Sequence, residues 1–235
     1  MPVSRLDKLL SDSGRYTRSE ARAAIRGGTV TVDGVIVRKP EEKFDPETTE
    51  IRAHGEWIDC AATRYLMLNK PAGVLSATDD PRQPTVLDLL SPELRRQGLF
   101  PVGRLDKDTT GLLLLTNDGD FAHRVISPKK HVAKRYRAEL DGPIGPEDVA
   151  AFADGIVLAD GTKCLPARLE PTEKTVGYVT VYEGKYHQVK RMFAARGRRV
   201  TALHRERIGA LELDGALRPG MYRPLEPEER SAVFR

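Results

Sequence analysis

The hydrophobic pattern of the chain changes period near residue 60. From Arg5 to Ser11 the apolar residues Leu6, Leu9 and Leu10 fall at helical spacing, and Gly14 stops the pattern. Thr17 followed by Glu20 is a capping-box pair that starts a second helix, which runs to Gly27-Gly28. Within it Ala21, Ala24 and Ile25 form an apolar flank, while Arg18, Arg22 and Arg26 recur every four residues and line one basic face. Val30-Thr31-Val32, Asp33-Gly34 and Val35-Ile36-Val37 then read as a β-hairpin with a favoured Asp-Gly turn. Pro40 to Glu50 is polar and reads as the link out of this module. Beyond it, strand patterns at Tyr65–Asn69, Gly111–Thr116, Tyr136–Leu140 and Gly177–Tyr182 are interrupted by helical ones near Asp120–Ile126, Pro146–Ala153 and Gln188–Ala195. There is no regular βαβ rhythm, no internal repeat and no low-complexity tract. The expected class is therefore α+β: a small N-terminal α/β module with its linker over residues 1–60, and a domain over 61–235 with a largely antiparallel mixed sheet flanked by helices and loops.

Composition narrows the function mostly by exclusion. A chain of 235 residues, 40% hydrophobic and 31% charged, can fold alone as one or two globular domains. Its longest purely aliphatic run is Leu112 to Leu115, far short of a membrane span. The opening Met-Pro-Val-Ser-Arg-Leu-Asp-Lys has charges where a signal peptide needs an apolar segment, so a cytoplasmic location is expected. Cys60 and Cys164 lack the spacing of a disulfide framework or of a cysteine zinc site. The net charge is only +4, but it is unevenly spread: residues 1–39, 121–137 and 185–207 carry net charges of +4, +6 and +7. One such cluster is ordinary solvated surface; three in a nearly balanced chain point to a polyanion held along the protein.

Several familiar catalytic patterns are missing. There is no G-x-S-x-G, no H-E-x-x-H and no phosphate loop around Gly184-Lys185. The run from Asp106 imitates the start of a calcium loop but has Thr110 at the fifth position and Asn117 at the twelfth, where a bidentate glutamate is needed. The five histidines, His54, His123, His131, His187 and His204, show no metal-ligand spacing, and no metal is expected. An aspartate in a turn such as Gly103–Gly111 is, by itself, usually a turn former.

Longer stretches give that aspartate company. Residues 5–39 resemble the S4 domain, through Arg5-Leu6-Asp7-Lys8-Leu9-Leu10, Thr17–Arg22, Ile25–Gly28 and Val30–Gly34. The resemblance implies binding of structured RNA by shape and phosphate contacts. Gly103-Arg104-Leu105-Asp106, continued by Asp108-Thr109-Thr110-Gly111-Leu112-Leu113-Leu114, resembles the signature of the pseudouridine synthases with the RsuA and RluA type of catalytic domain. Leu68–Val74, Lys134-Arg135-Tyr136 and Glu183–Phe193 resemble the family's other motifs, in the same order. With the S4 module in front, and with Thr78–Pro81 and Leu203–Gly209, the chain is similar to the RsuA subfamily.

What this resemblance implies is the isomerisation of a uridine to pseudouridine in small-subunit (16S) ribosomal RNA, with position 516 the expected target and no cofactor. Asp106 would be the catalytic carboxylate, acting at ribose C1′, at base C6 or on a sugar proton, and Lys190 would supply the opposite charge beside it. Arg191 lies about 100° further around the same helix, so only one of the two reaches the site. Tyr136 would stack the extruded uracil and serve proton transfer, and Arg104 would enter the RNA where the base leaves the stack. Lys70-Pro71 is a turn supporting the site, and Gly111 and Gly119 are backbone requirements. Arg18, Arg22, Arg26, Lys185 and Arg191 are the expected RNA-binding cations. The expected partner is ribosomal RNA, possibly within an assembling subunit, bound by a monomer with no membrane. The competing readings are the same reaction on 23S ribosomal RNA, or a non-catalytic S4-type ribosome assembly factor.

Overall fold

The computed structural model describes residues 3–46, 48–60 and 63–235, and the chain divides into two compact units. The first runs to Arg64 and also takes in Leu90–Leu99; the second holds Tyr65–Leu89 and Phe100–Arg235.

In the first unit, strand β1 (Ser4–Arg5) leads straight into helix α1 (Leu6–Asp12), whose Leu6, Leu9 and Leu10 are buried as the spacing predicts. Helix α2 (Arg18–Gly27) starts at a complete capping box, in which the Glu20 amide donates to Thr17 Oγ1 at 3.3 Å and the Thr17 amide donates to Glu20 Oε2 at 2.7 Å. Its Ala21 and Ile25 join the α1 leucines in one core. Strands β2 (Val30–Val32) and β3 (Val35–Ile36) form the expected hairpin, with both turn residues at positive φ, 49° at Asp33 and 81° at Gly34. The polar stretch from Pro40 to Glu50 is more than a link. Its β4 (Lys43–Phe44) pairs with β1, and β5 (Ile51–Ala53) and β6 (Glu56–Trp57) complete a sheet ordered β3-β2-β5-β6.

The later segment is fastened to the first unit by close backbone approach. Gly14 has φ of 77°, and a Cβ there would lie 2.1 Å from the Glu93 carbonyl oxygen, beside helix α3 (Pro92–Arg95). The Arg96 Nε donates to the Gly14 carbonyl at 2.5 Å, and the Gln97 side chain to that of Ser13 at 2.7 Å.

The second unit is built on a nine-stranded sheet among the described residues, ordered β11-β12-β10-β13-β9-β7-β15 with two short side pairings. Its strands are β7 (Tyr65–Lys70), β8 (Phe100–Pro101), β9 (Thr110–Thr116), β10 (Lys134–Leu140), β11 (Arg168–Glu173), β12 (Val176–Val181), β13 (Val200–Ile208), β14 (Leu211–Glu212) and β15 (Tyr222–Pro224). All pairs are antiparallel except β9 with β13. The class is α+β. Leu112 to Leu115 are all buried because β9 is central and covered on both faces, which is why its sequence is a continuous apolar run. Helices α4 (Gly119–Ile126) and α7 (Pro227–Ala232) pack with Leu112 and Leu114. Helices α5 (Pro146–Asp154) and α6 (Gln188–Ala194) meet through Phe152 and Phe193, ring centres 4.9 Å apart, over β10–β13. Strand β13 was not expected from the sequence, because Thr201, His204, Arg205, Glu206 and Arg207 interrupt its apolar alternation.

Asp7 of the first unit is fully buried against three guanidinium groups: Arg22 Nε at 2.9 Å, Arg5 Nη2 at 3.0 Å and Arg18 Nε at 3.7 Å. The Arg5 hydrogen bond, with help from Arg22, overcomes the opposing effect of burial and holds the Asp7 carboxyl down to about 2. An unfolded aspartate titrates at about 3.9. The charged carboxylate therefore contributes its full stability above about pH 5, and the contribution is lost as the pH falls toward 2. Asp7→Asn is expected to lower stability at pH 7 by about 2 kcal/mol and to flatten the acid limb of a plot of melting temperature against pH. An unaltered acid limb would show that Asp7 is not the group responsible.

Candidate active site

The loop joining β8 to β9 is fixed from both sides of Asp106. On the preceding side, Ser76 Oγ donates to the Leu105 carbonyl at 2.9 Å and accepts from the Leu105 amide at 3.0 Å. On the following side, the Gly73 amide donates to the Lys107 carbonyl at 2.8 Å, and the Thr109 amide closes a turn on the Asp106 carbonyl at 3.1 Å. Beneath these lies Lys70, at the end of β7 and fully buried. Its ammonium donates to the carbonyls of Thr109 at 2.9 Å, Pro71 at 3.0 Å and Lys107 at 3.2 Å. Burial pushes Lys70 down to about 8, against the pull of Asp108 and Asp106. Three carbonyl dipoles thus hold a cation that, among the described residues, has no carboxylate in direct contact, and the cation in turn fixes the loop backbone.

Upon this support the Asp106 carboxylate, partly exposed, meets α6. Lys190 Nζ lies 3.0 Å from Asp106 Oδ2 and 2.5 Å from Asp108 Oδ1, and His187 Nε2 lies 3.4 Å from Asp106 Oδ1. Burial alone would lower the Lys190 ammonium, but the hydrogen bonds it donates to Asp108 and Asp106 outweigh that and raise it, while Lys190 holds Asp108 low. An open hollow of about 480 Å³ is lined by Lys190 and His187 from this group together with Arg191, Arg198 and Arg199, with Asp141 as its one acid. Its charge suits an anionic ligand.

The structure brings some of the expected residues together and leaves others apart. Asp106 and Lys190 are in direct contact, whereas Arg191 turns away and pairs with Asp160 at 2.5 Å. Tyr136 is half-buried on β10 and is linked through Arg205 to β9, the strand that follows the Asp106 loop. Arg205 Nη1 donates to the Tyr136 hydroxyl at 3.3 Å, and its Nε donates to the Leu112 carbonyl at 2.8 Å. Arg104 is exposed, two residues before Asp106. The Lys185 ammonium pairs with buried Glu183. In the first unit, Arg18 and Arg22 are turned onto Asp7 yet keep about half of their side-chain surface, and Arg26 is exposed.

Three contributors stand inside the sequence motifs without a role having been read for them. Asp108 and His187 both touch the Asp106–Lys190 pair. Arg205 is buried with its Nη2 unpaired, and it lies level with Gly111 across the one parallel strand pair. A Cβ at Gly111, whose φ is 100°, would sit 2.2 Å from the Arg205 carbonyl oxygen, so only glycine allows the strands to approach. Among the described residues no group of three or more His, Cys, Asp or Glu is placed to hold a metal ion, and no helix is long and apolar enough to cross a membrane.

Comparison with known proteins gives this arrangement its class. A family model described as RNA pseudouridylate synthase matches residues 64–195, and one described as S4 domain matches residues 4–49. The chain belongs to the RNA pseudouridine synthase family, a family of isomerases, and carries an S4 domain at its N-terminal end. Within that class it is similar to ribosomal small subunit pseudouridine synthase A of Salmonella typhimurium and of Escherichia coli K12. Each is 46% identical over 232 residues, covering 97% of this chain and 99% of the relative. An uncharacterized RNA pseudouridine synthase of Bacillus subtilis, YtzG, is 50% identical over 229 residues, 96% of either chain. A crystal structure of a pseudouridylate synthase superposes with a TM-score of 0.70 at 41% identity, covering 97% of this chain and 99% of that one.

Lys70→Met keeps the length of the side chain and removes the ammonium, leaving three loop carbonyls without their shared donor. It is expected to destabilise the protein by about 2–4 kcal/mol in urea unfolding. The Gly73 and Thr109 amides, which close the loop, should exchange hydrogen faster. Unchanged exchange at both amides would show that the loop is held without Lys70.

Proposed function

We propose that the protein isomerises a uridine of small-subunit (16S) ribosomal RNA to pseudouridine, at position 516, with Asp106 as the catalytic carboxylate and no cofactor. The observation that carries this reading is the contact between Asp106 and Lys190, two residues far apart in the chain, of which Lys190 also lines a basic hollow. Support for the small subunit comes from the relatives whose names specify it.

The reaction breaks the bond from N1 to ribose C1′, turns the base and forms a bond from C5 to C1′. The proton leaving C5 is balanced by one gained at N1, so nothing is oxidised and no group is lost. A carboxylate contributes by adding at C1′, by adding at C6 or by taking a sugar proton, and each course requires it fixed against the junction of sugar and base. The pinned loop provides that fixity. Lys190 offsets one of the two negative charges of Asp106 and Asp108, which lessens the repulsion an approaching phosphate chain meets. Tyr136 stacks the uracil. Because a guanidinium can only donate, Arg205 leaves the Tyr136 hydroxyl hydrogen free to be given to another acceptor. Arg104 enters the RNA beside the displaced base, and Arg18, Arg22, Arg26, Lys185 and Arg191 hold phosphates. The protein acts as a monomer in the cytoplasm.

Asp106→Asn is expected to slow pseudouridine formation on a 16S fragment at least about a thousandfold, while RNA binding stays nearly intact. Retained turnover would overturn the role of Asp106. In a strain lacking the protein, mapping of extracted ribosomal RNA should show one small-subunit pseudouridine missing; a missing large-subunit site would refute the substrate. Replacing Arg18, Arg22 and Arg26 together by Ala should weaken RNA binding and reduce the slope of log affinity against log salt by about 1–3, since each phosphate contact contributes just under one. An unchanged slope would return this face to ordinary surface.

A further inference from the structure

Tyr186 is 75% exposed, the most exposed of the protein's large hydrophobic side chains among the described residues, and it stands one residue from the group that touches Asp106. Its ring stacks on that of His187, with centroids 3.8 Å apart and planes 18° from parallel. The stack is built on a fixed turn. His187 has φ of 48°, a conformation that costs a residue with a side chain about 1 kcal/mol or more. The turn is held there by a closed set of bonds. The Lys185 amide donates to Gln188 Oε1 at 2.9 Å, Gln188 Nε2 donates to buried Glu183 at 2.9 Å, and the Leu165 amide donates to the same Glu183 oxygen at 2.9 Å. The Arg191 Nη1 adds a longer contact to the Tyr186 carbonyl at 3.4 Å. An exposed tyrosine on a tightly bonded, strained turn is held out rather than left out.

We propose that the free face of Tyr186 is a stacking platform for a nucleobase next to the target uridine, an assignment that rests on the reading of the protein as an RNA pseudouridine synthase. Lifting one base out of an RNA stack deprives its neighbours of a partner, and a flat ring beside the site restores it. His187 covers one face of Tyr186 and points its Nε2 at Asp106, so the two rings lead from the carboxylate to the open surface. Lys190 and Arg191 flank them with charge for the backbone. A phenol face accepts any base, so the platform contributes affinity and register but little sequence preference.

The test uses RNA hairpins of 16S sequence with 2-aminopurine placed on either side of the modified uridine. The full-length protein carries Asp106→Asn, so that binding is read without turnover. Fluorescence at one flanking position should be quenched with Tyr186, with Tyr186→Phe and with Tyr186→Trp, and should be restored with Tyr186→Leu. In the turnover-competent protein Tyr186→Leu should raise KM about tenfold, about 1.4 kcal/mol, with a smaller part of the loss in kcat. Equal quenching by the Leu variant would overturn the proposal, as would a Phe variant that behaves like Leu, or a loss confined to kcat. If the unsubstituted protein quenches the probe yet forms no pseudouridine, the synthase reading fails and the platform stands. If turnover persists with normal KM in the Leu variant, the platform fails alone.

Discussion

A buried ammonium donating to three carbonyls holds the second unit's site in place. Lys70 ends strand β7, and its contacts with Pro71, Lys107 and Thr109 join that strand end to the loop that carries Asp106. A lysine is costly to bury, and here the cost is offset by dipoles already present in the backbone. The same cation is felt electrostatically by Asp106, Asp108 and Lys190, so the side chain that shapes the loop also adds to the positive charge that Lys190 brings to the carboxylates.

Around it the protein gathers further buried positive charge. Arg205 bonds to the Leu112 carbonyl and the Tyr136 hydroxyl, and Lys134, pushed down to about 8 by burial, donates to the Val125 carbonyl. Each is satisfied at least in part by neutral oxygen. A protein that must receive a polyanion gains from this, because a cation already paired with a carboxylate contributes less field to an incoming phosphate. At the rim the pattern reverses: Arg191 and Lys185 are paired with acids on the chain itself, so any contact they make with RNA has to exchange one partner for another.

What the sequence revealed, and what it hid, follows from how local each cause is. The capping box at Thr17, the Asp33-Gly34 turn and the leucine run of β9 are short-range patterns, and all three appear in the structure. The basic ridge on α2 was also legible as periodicity. That two of its arginines turn onto Asp7 was not, because the acceptor lies on another helix. Strand β13 was hidden for a related reason: it carries Arg205 inward and His204 against Thr110, so its charges mark a buried polar seam rather than a surface. Lys70 was legible as support for a turn, but its means of support, three carbonyls from two separate segments, exists only once the chain has folded. The pairing of Asp106 with Lys190 came from motif resemblance and could not have come from periodicity.

The return of Leu90–Leu99 to the first unit bears on the order in which the protein can be made. During synthesis the N-terminal module emerges early, yet the backbone that packs against Gly14, and the side chains that bond to Ser13 and Gly14, arrive only after Tyr65–Leu89 have been added. Those intervening residues include β7 and Lys70, whose strand partners β9 and β15 come later still. The first unit therefore closes while the second is still an open fragment. A cut after residue 64 would release an N-terminal piece that lacks part of its own packing, so the two units are not modules that evolution could exchange by a single splice.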